Sequence, residues 1–172
     1  THLPYKGRKN LVPFILKLLF NMKKAVIIFT WFGGFDAFIV TKLCKLFKKK
    51  NVVVIGGYEV AKEPEINYGG MLNKNVAKRI KYILNNATKI IEVSEFSMNE
   101  IRKYTKRGDI DLIYNAIDTK KFIPWGTKKE IIVTTGFISK KNVLRKRFDF
   151  FLKSAKKVKN KEFILIGNSF DH

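Results

Sequence analysis

In the stretch TTGFISKKNVLRKRFDF (134–150), Gly136 closes an apolar run of strand type. Lys140, Lys141, Arg145, Lys146 and Arg147 follow it, ahead of an amphipathic segment. The pattern predicts a helix starting near Leu144 to Arg147, which puts these cations at or before its N-terminus. That end already carries partial positive charge, so clustered cations are unfavourable there unless an anion sits among them. A phosphate or pyrophosphate held by backbone N–H groups and by Arg and Lys would remove the conflict. The five cations, with Gly136 at the strand end, are therefore a candidate anion site. The competing reading is a solvated loop in a lysine-rich chain.

Two glycine pairs offer a second kind of chemistry. In VVIGGYEVAKEPEINYGG, Gly56 and Gly57 would let a ligand approach the backbone closely, and Tyr58, Glu59 and Tyr68 could contact a hydroxyl-bearing substrate. A purely structural turn is the alternative. In TWFGGFDA, Gly33 and Gly34 open a helix, while Trp31 or Phe32 either stacks on a sugar or lines the core. A GxGxxG fingerprint and a Walker loop are both absent, which argues against dinucleotide and P-loop nucleotide sites. Cys44 is the lone cysteine, and His2 and His172 sit at the chain ends. Neither a metal site, a haem site nor Ser–His chemistry is expected.

These residues need a scaffold, and the alternation of patterns supplies one. AVIIFTWF, NVVVIGG, KIIEVS and IDLIYN are apolar runs of strand length, as expected where helices cover both sheet faces. Between them lie amphipathic helical stretches, with Phe35, Phe38, Ile39, Leu43, Leu46 and Phe47 on one face of the first. Val76, Ile80, Ile83, Leu84 and Ala87 line another. Ser97 and Glu100 have capping-box spacing, with Ser94 as an earlier cap. Strand–helix–strand order implies parallel pairing, so the fold class is α/β with doubly wound parallel sheets.

Asn115 and Asp118 are turn formers and Pro124 interrupts the chain, after which the pattern restarts with EIIVTTG, RFDFFLKSAKKVKN and EFILIG. Residues 1–124 read as one domain, 125–129 as a hinge and 130–172 as the first strand–helix–strand unit of a second. Both ends of the chain look cut, so a fragment incomplete at both ends is expected.

The 172 residues carry 35 basic and 14 acidic side chains, a formal charge of +21, with 46% hydrophobic content. This is a globular composition. Its charge reflects either attraction to an anionic partner or a compositional bias. No stretch reaches the roughly 20 apolar residues of a membrane span. LVPFILKLLF (11–20), with Asn10 as cap and Pro13 in the first turn, is apolar nearly all round and predicts a helix either buried or lying on a membrane surface. One free cysteine fits a reducing compartment.

Taken together, ATKIIEVSEFSMNEIRKY, then IDLIYNAIDTKKFIP, then EIIVTTGFISKKNVLRKRFDFFLKSAKKVKNKEFILIGNS resembles the central part of group 1 (family four) glycosyltransferases of the GT-B fold. In that family an N-G-v-D…F-x-P stretch ends the first Rossmann-like domain, and Asn115, Asp118, Phe122 and Pro124 match it here. FGGFDAF and the GGYEVAKEPEINYGG loop resemble acceptor-side loops. The resemblance implies Rossmann-like parallel sheets and transfer of a sugar from a nucleotide-diphosphate-sugar to a hydroxyl on a glycan or lipid-linked acceptor. It implies retention, no metal held by an Asp–x–Asp motif, and no cofactor beyond the nucleotide-sugar substrate. Lys146 matches the family's pyrophosphate-binding lysine, and Gly136 ends the first donor-domain strand. Trp31, Gly33, Gly34, Gly56, Gly57, Tyr58 and Glu59 fall on the acceptor side.

Two departures stand out. Phe137 replaces an Arg that Arg145 could compensate, and Arg147 replaces the Gly after the lysine. No catalytic residue is assignable, and the chain alone is expected to be inactive. The expected location is cytoplasmic, with peripheral contact at an anionic membrane face. Nucleic acid is not the expected partner. The alternative is a non-catalytic basic α/β module binding nucleic acid or an anionic membrane.

Overall fold

The computed structural model describes residues 1–168, leaving aside the side chains of Arg8, Lys140 and Lys141. His172 lies outside the described residues. The chain divides into two compact units. One comprises Thr1–Lys62 and Gly69–Asn115. The other comprises Glu63–Tyr68 and the chain from Ala116 onward. The division falls ahead of the hinge expected at 125–129.

The first unit is built on four parallel strands in sequence order: β1 (Ile27–Trp31), β2 (Lys50–Ile55), β3 (Lys89–Glu92) and β4 (Ile110–Leu112). One row across the sheet pairs Thr30 with Val53, Val53 with Ile90 and Ile90 with Ile110. Helices α1 (Leu11–Met22), α2 (Phe35–Leu46), α3 (Lys74–Asn86) and α4 (Glu95–Arg102) flank the strands.

Asn73 caps α3, its Oδ1 accepting the N–H groups of Asn75 and Val76 at 2.9 and 3.1 Å. Ile80, Ile83 and Leu84 then face inward beside Ala37, Val53, Ile55 and Ile90. Ser94 caps α4 through the Ser97 N–H. Ser97, read from sequence as a capping residue, is instead buried in the first turn. Helix α1 starts after Asn10 and buries one stripe, Phe14, Leu18 and Met22, against Val40 and Cys44. Its opposite face is exposed, so it is apolar all round without being buried all round.

In the second unit, β5 (Ile131–Thr135) pairs in parallel with β6 (Glu162–Ile166). Two helices connect them, α5 (Lys140–Lys146) and α6 (Phe148–Lys157). Phe148 is the buried large apolar side chain here, at 2% exposure. Every residue from 113 to 130 is exposed. Asp118 makes the turn its type predicts, its Oδ1 accepting the N–H groups of Lys120 and Lys121. Phe122, Ile123 and Trp125 nevertheless stay in solvent and anchor nothing.

Candidate functional site

The carboxyl ends of parallel strands gather the polar groups of each unit. In the first unit, β1 and β2 run directly into the glycine pairs. Gly57 adopts φ +98, and a Cβ on Gly56 would meet the Phe32 ring at 2.6 Å. The Gly57 position thus favours glycine for its conformation, and a side chain at Gly56 would have to displace the exposed Phe32 ring.

Glu59, 8% exposed, ties the two turns together. Its Oε1 accepts the Gly33 N–H at 2.8 Å and the Gly56 N–H at 3.4 Å. Around it lies a cleft of about 310 Å³ lined by Gly33, Gly34, Gly56, Tyr58, Glu59 and, from α3, Arg79. The Arg79 guanidinium lies 5.5 Å from the Phe35 ring centre. A carboxylate, a guanidinium and backbone turns of this kind suit a ligand rich in hydroxyls.

Trp31 and Gly57 stand apart from this cleft. Gly57 packs against the Ser97 hydroxyl. Trp31 borders a separate hollow beside the N-terminal segment, with Phe29 and Phe32 rings 5.9 and 6.1 Å away. Trp31 and Phe32 are each more than half exposed, so neither belongs to the core.

Sequence reasoning missed two groups at this end of the sheet. Arg79 was hidden among the lysines of α3. Glu92 closes β3 and is fully buried, paired in register with Ile55 and Leu112. Its Oε1 accepts the Val93 N–H at 2.8 Å, while its Oε2 has no partner among the described residues. Burial pushes this carboxyl up from 4.5 to about 7, helped by the charge of Glu59 and opposed by the Val93 N–H. A glutamate inside the apolar run KIIEVS was the available signal.

Asp109 and Asp111 also escaped notice, and they do have Asp–x–Asp spacing. They flank the start of β4, at the opposite end of the sheet from the cleft, and pair with Arg107 at 2.7 Å and Lys89 at 2.8 Å. Cys44 is buried, which pushes its thiol up to about 11 and removes it as a nucleophile. Among the described residues no three His, Cys, Asp or Glu side chains converge as metal ligands.

In the second unit, the ends of β5 and β6 lie very close. The Gly136 N–H donates to the Ile166 carbonyl at 3.0 Å, and the Ile138 N–H to the Asn168 carbonyl at 2.9 Å. A Cβ on Gly167 would fall 1.8 Å from the Gly136 oxygen, so only glycine fits. A Cβ on Gly136 would meet the Phe148 ring at 3.0 Å and Lys146 Cε at 4.0 Å. Lys146 therefore reaches the end of β5.

Arg145 is half-buried, donating from Nε to Asn142 Oδ1 at 3.1 Å. Its guanidinium lies 4.9 Å from the ring centre of Tyr68, which belongs to the same unit.

The helix expected to start near Leu144 to Arg147 starts at Phe148, and α5 precedes it. Ser139 caps α5 by accepting the Asn142 N–H. Arg145 and Lys146 occupy its last turn, where the macrodipole favours cations. The electrostatic conflict inferred from sequence is thus absent for these two residues, and geometry alone supports their candidacy. Arg147, at φ 56 and ψ 37, is left-handed between the two helices. A non-glycine residue in that conformation strains the backbone.

Both sheets are parallel and Rossmann-like, with helices connecting their strands, which makes this an α/β protein with its candidate sites at strand ends. No family model and no curated protein matches the sequence. Among solved structures the chain is similar to a sucrose-phosphate synthase from Thermosynechococcus elongatus, with a TM-score of 0.62 and 14% identity. The match covers 98% of this chain and 53% of that one, so the chain spans about half the length of its structural neighbour. At this identity the likeness speaks for the fold, and it bears out the parallel GT-B type of architecture.

Proposed function

We propose that the protein is a glycosyltransferase that moves a sugar from a nucleotide-diphosphate-sugar to a hydroxyl acceptor, a glycan or lipid-linked sugar, with retention. The observation that carries this reading is Lys146 Cε, 4.0 Å from the Cβ position of side-chain-free Gly136 at the end of β5. A diphosphate at that opening would meet an ammonium group beside bare backbone. As the bond from sugar to diphosphate breaks, negative charge grows on the leaving phosphate, and a fixed cation stabilises that charge. Arg145 would assist from α5. The cleft around Glu59, Tyr58 and Arg79 would take the acceptor, its carboxylate and guanidinium matching hydroxyl groups.

The experiment is a thermal-shift panel on the full-length enzyme. Nucleotide-sugars and nucleoside diphosphates are expected to raise the melting temperature at concentrations where heparin and inorganic phosphate do not. Ligand binding at a hundred times Kd stabilises by about 2.7 kcal/mol. Equal shifts from any polyanion, abolished by salt, would reduce the site to non-specific charge.

A further inference from the structure

We infer that the outer face of α1 is a docking surface for an anionic lipid bilayer. The helix buries Phe14, Leu18 and Met22, and its opposite side presents Val12, Leu16 and Phe20, 66%, 62% and 67% exposed, as one stripe at i, i+4 and i+8 spacing.

Compositional bias does not explain this face. The outward side of α3 carries Lys74, Lys78 and Lys81, and that of α6 carries Lys153, Lys156 and Lys157, all exposed. On α1 the exposed positions are apolar except Lys17. Cations gather at the ends of the stripe instead: Lys9 just before the helix, Lys23 and Lys24 just after it, all exposed. No Asp or Glu occurs before Asp36.

An apolar stripe bordered by lysines, without carboxylates, matches the boundary between headgroups and acyl chains. A second copy fits this face poorly, because two such surfaces would bring like charges together. A nucleic acid has no use for the exposed Leu16 and Phe20. At twelve residues, α1 is not long enough to cross a membrane, so the contact is peripheral.

The test is co-flotation of the protein with phosphatidylcholine vesicles, with and without phosphatidylserine, while oligomeric state is followed in lipid-free solution. Binding is expected to require phosphatidylserine. Leu16→Asp/Phe20→Asp should lower it at least about tenfold. Lys17→Gln/Lys23→Gln/Lys24→Gln should lower it by roughly a hundredfold, each lysine being worth about fivefold near an anionic surface. Lys153→Gln/Lys156→Gln/Lys157→Gln, which removes the same charge from α6, should have a smaller effect.

Full binding by the Leu16/Phe20 variant, or equal losses from the two lysine variants, would reduce the effect to net charge and overturn the proposal. Loss of a lipid-free dimer in the Leu16/Phe20 variant would overturn it in favour of an interface between copies. Should that variant fail to fold, Phe20→Gln takes its place under the same criteria.

Discussion

The two units use one architecture with opposite investments. The first packs apolar side chains from four strands and four helices, with Val53, Ile55, Ile83, Leu84, Ile90 and Ile101 completely buried. The second has two strands, and Phe148 is its single buried apolar side chain among the described residues. Their strand ends carry different groups as well. Glu59 and Glu92, with Arg79 lining the cleft, mark the end of the first sheet, whereas Lys146 reaches the end of the second. A unit with a deep core can hold a buried carboxyl with one oxygen unpartnered, because packing elsewhere offsets the cost. A unit with little core leaves its charges exposed.

The contrast breaks most visibly in isolated segments. Residues 1–115 alone should melt cooperatively. Residues 116–172 alone, which also lack the Glu63–Tyr68 segment of their unit, should show no cooperative transition by circular dichroism. Burying one Phe returns about 1.5–3 kcal/mol, and ordering each backbone residue costs about 1–2 kcal/mol. A cooperative melt of the second segment would show that its exposed strands hold together without further burial.

Glu92 gives the next largest effect and belongs to the first unit. Its carboxyl titrates at about 7 when folded and at the ordinary 4.5 when unfolded, so the folded state holds the proton more tightly. The contribution of this carboxyl to stability should therefore be full below 4.5 and be lost as pH rises from there through about 7, a difference on the order of 3 kcal/mol. Glu92→Gln should flatten that fall in chemical denaturation measured across the window. An unchanged slope in the variant would mean that the unpartnered oxygen is solvated.

The smallest effect sharpens the contrast from the other side. Arg147 occupies a left-handed conformation that costs a non-glycine residue about 1–2 kcal/mol, part of which glycine returns as unfolded-state entropy. Arg147→Gly should stabilise the protein by about 0.5–1 kcal/mol in urea denaturation. Its ion pair with Asp149, at 3.9 Å on the surface, contributes little to set against this. Destabilisation by Arg147→Gly would instead assign that guanidinium a structural role.

Much of the fold was legible because continuous apolar runs admit few alternatives. AVIIFTWF contains β1, NVVVIGG runs through β2, and KIIEVS contains β3. Helix α5 was not legible. Its cap, Ser139, precedes two lysines rather than the acidic residues that usually mark a first turn, so the segment read as loop. The exposure of Trp31 was hidden for a related reason, since a strand pattern does not say which face finds a partner.

At the candidate site, residue types were readable and their meeting was not. Gly33 and Gly56 lie far apart in sequence and are joined through Glu59 only because β1 and β2 are neighbours. Glu92 looked like one more strand residue until its burial gave it a purpose to be tested.

The central claim is that the cationic end of the second unit holds the diphosphate of a sugar donor. It is tested most directly by the turnover of Lys146→Ala in the full-length enzyme, beside Lys156→Ala on the exposed side of α6. Loss of one preorganised electrostatic donor should cost about 2–4 kcal/mol in the transition state, roughly 30- to 1,000-fold in kcat. Lys156→Ala should leave kcat within about twofold, as expected for a solvated surface charge. Equal turnover in both variants and the parent would contradict the assignment of the donor site.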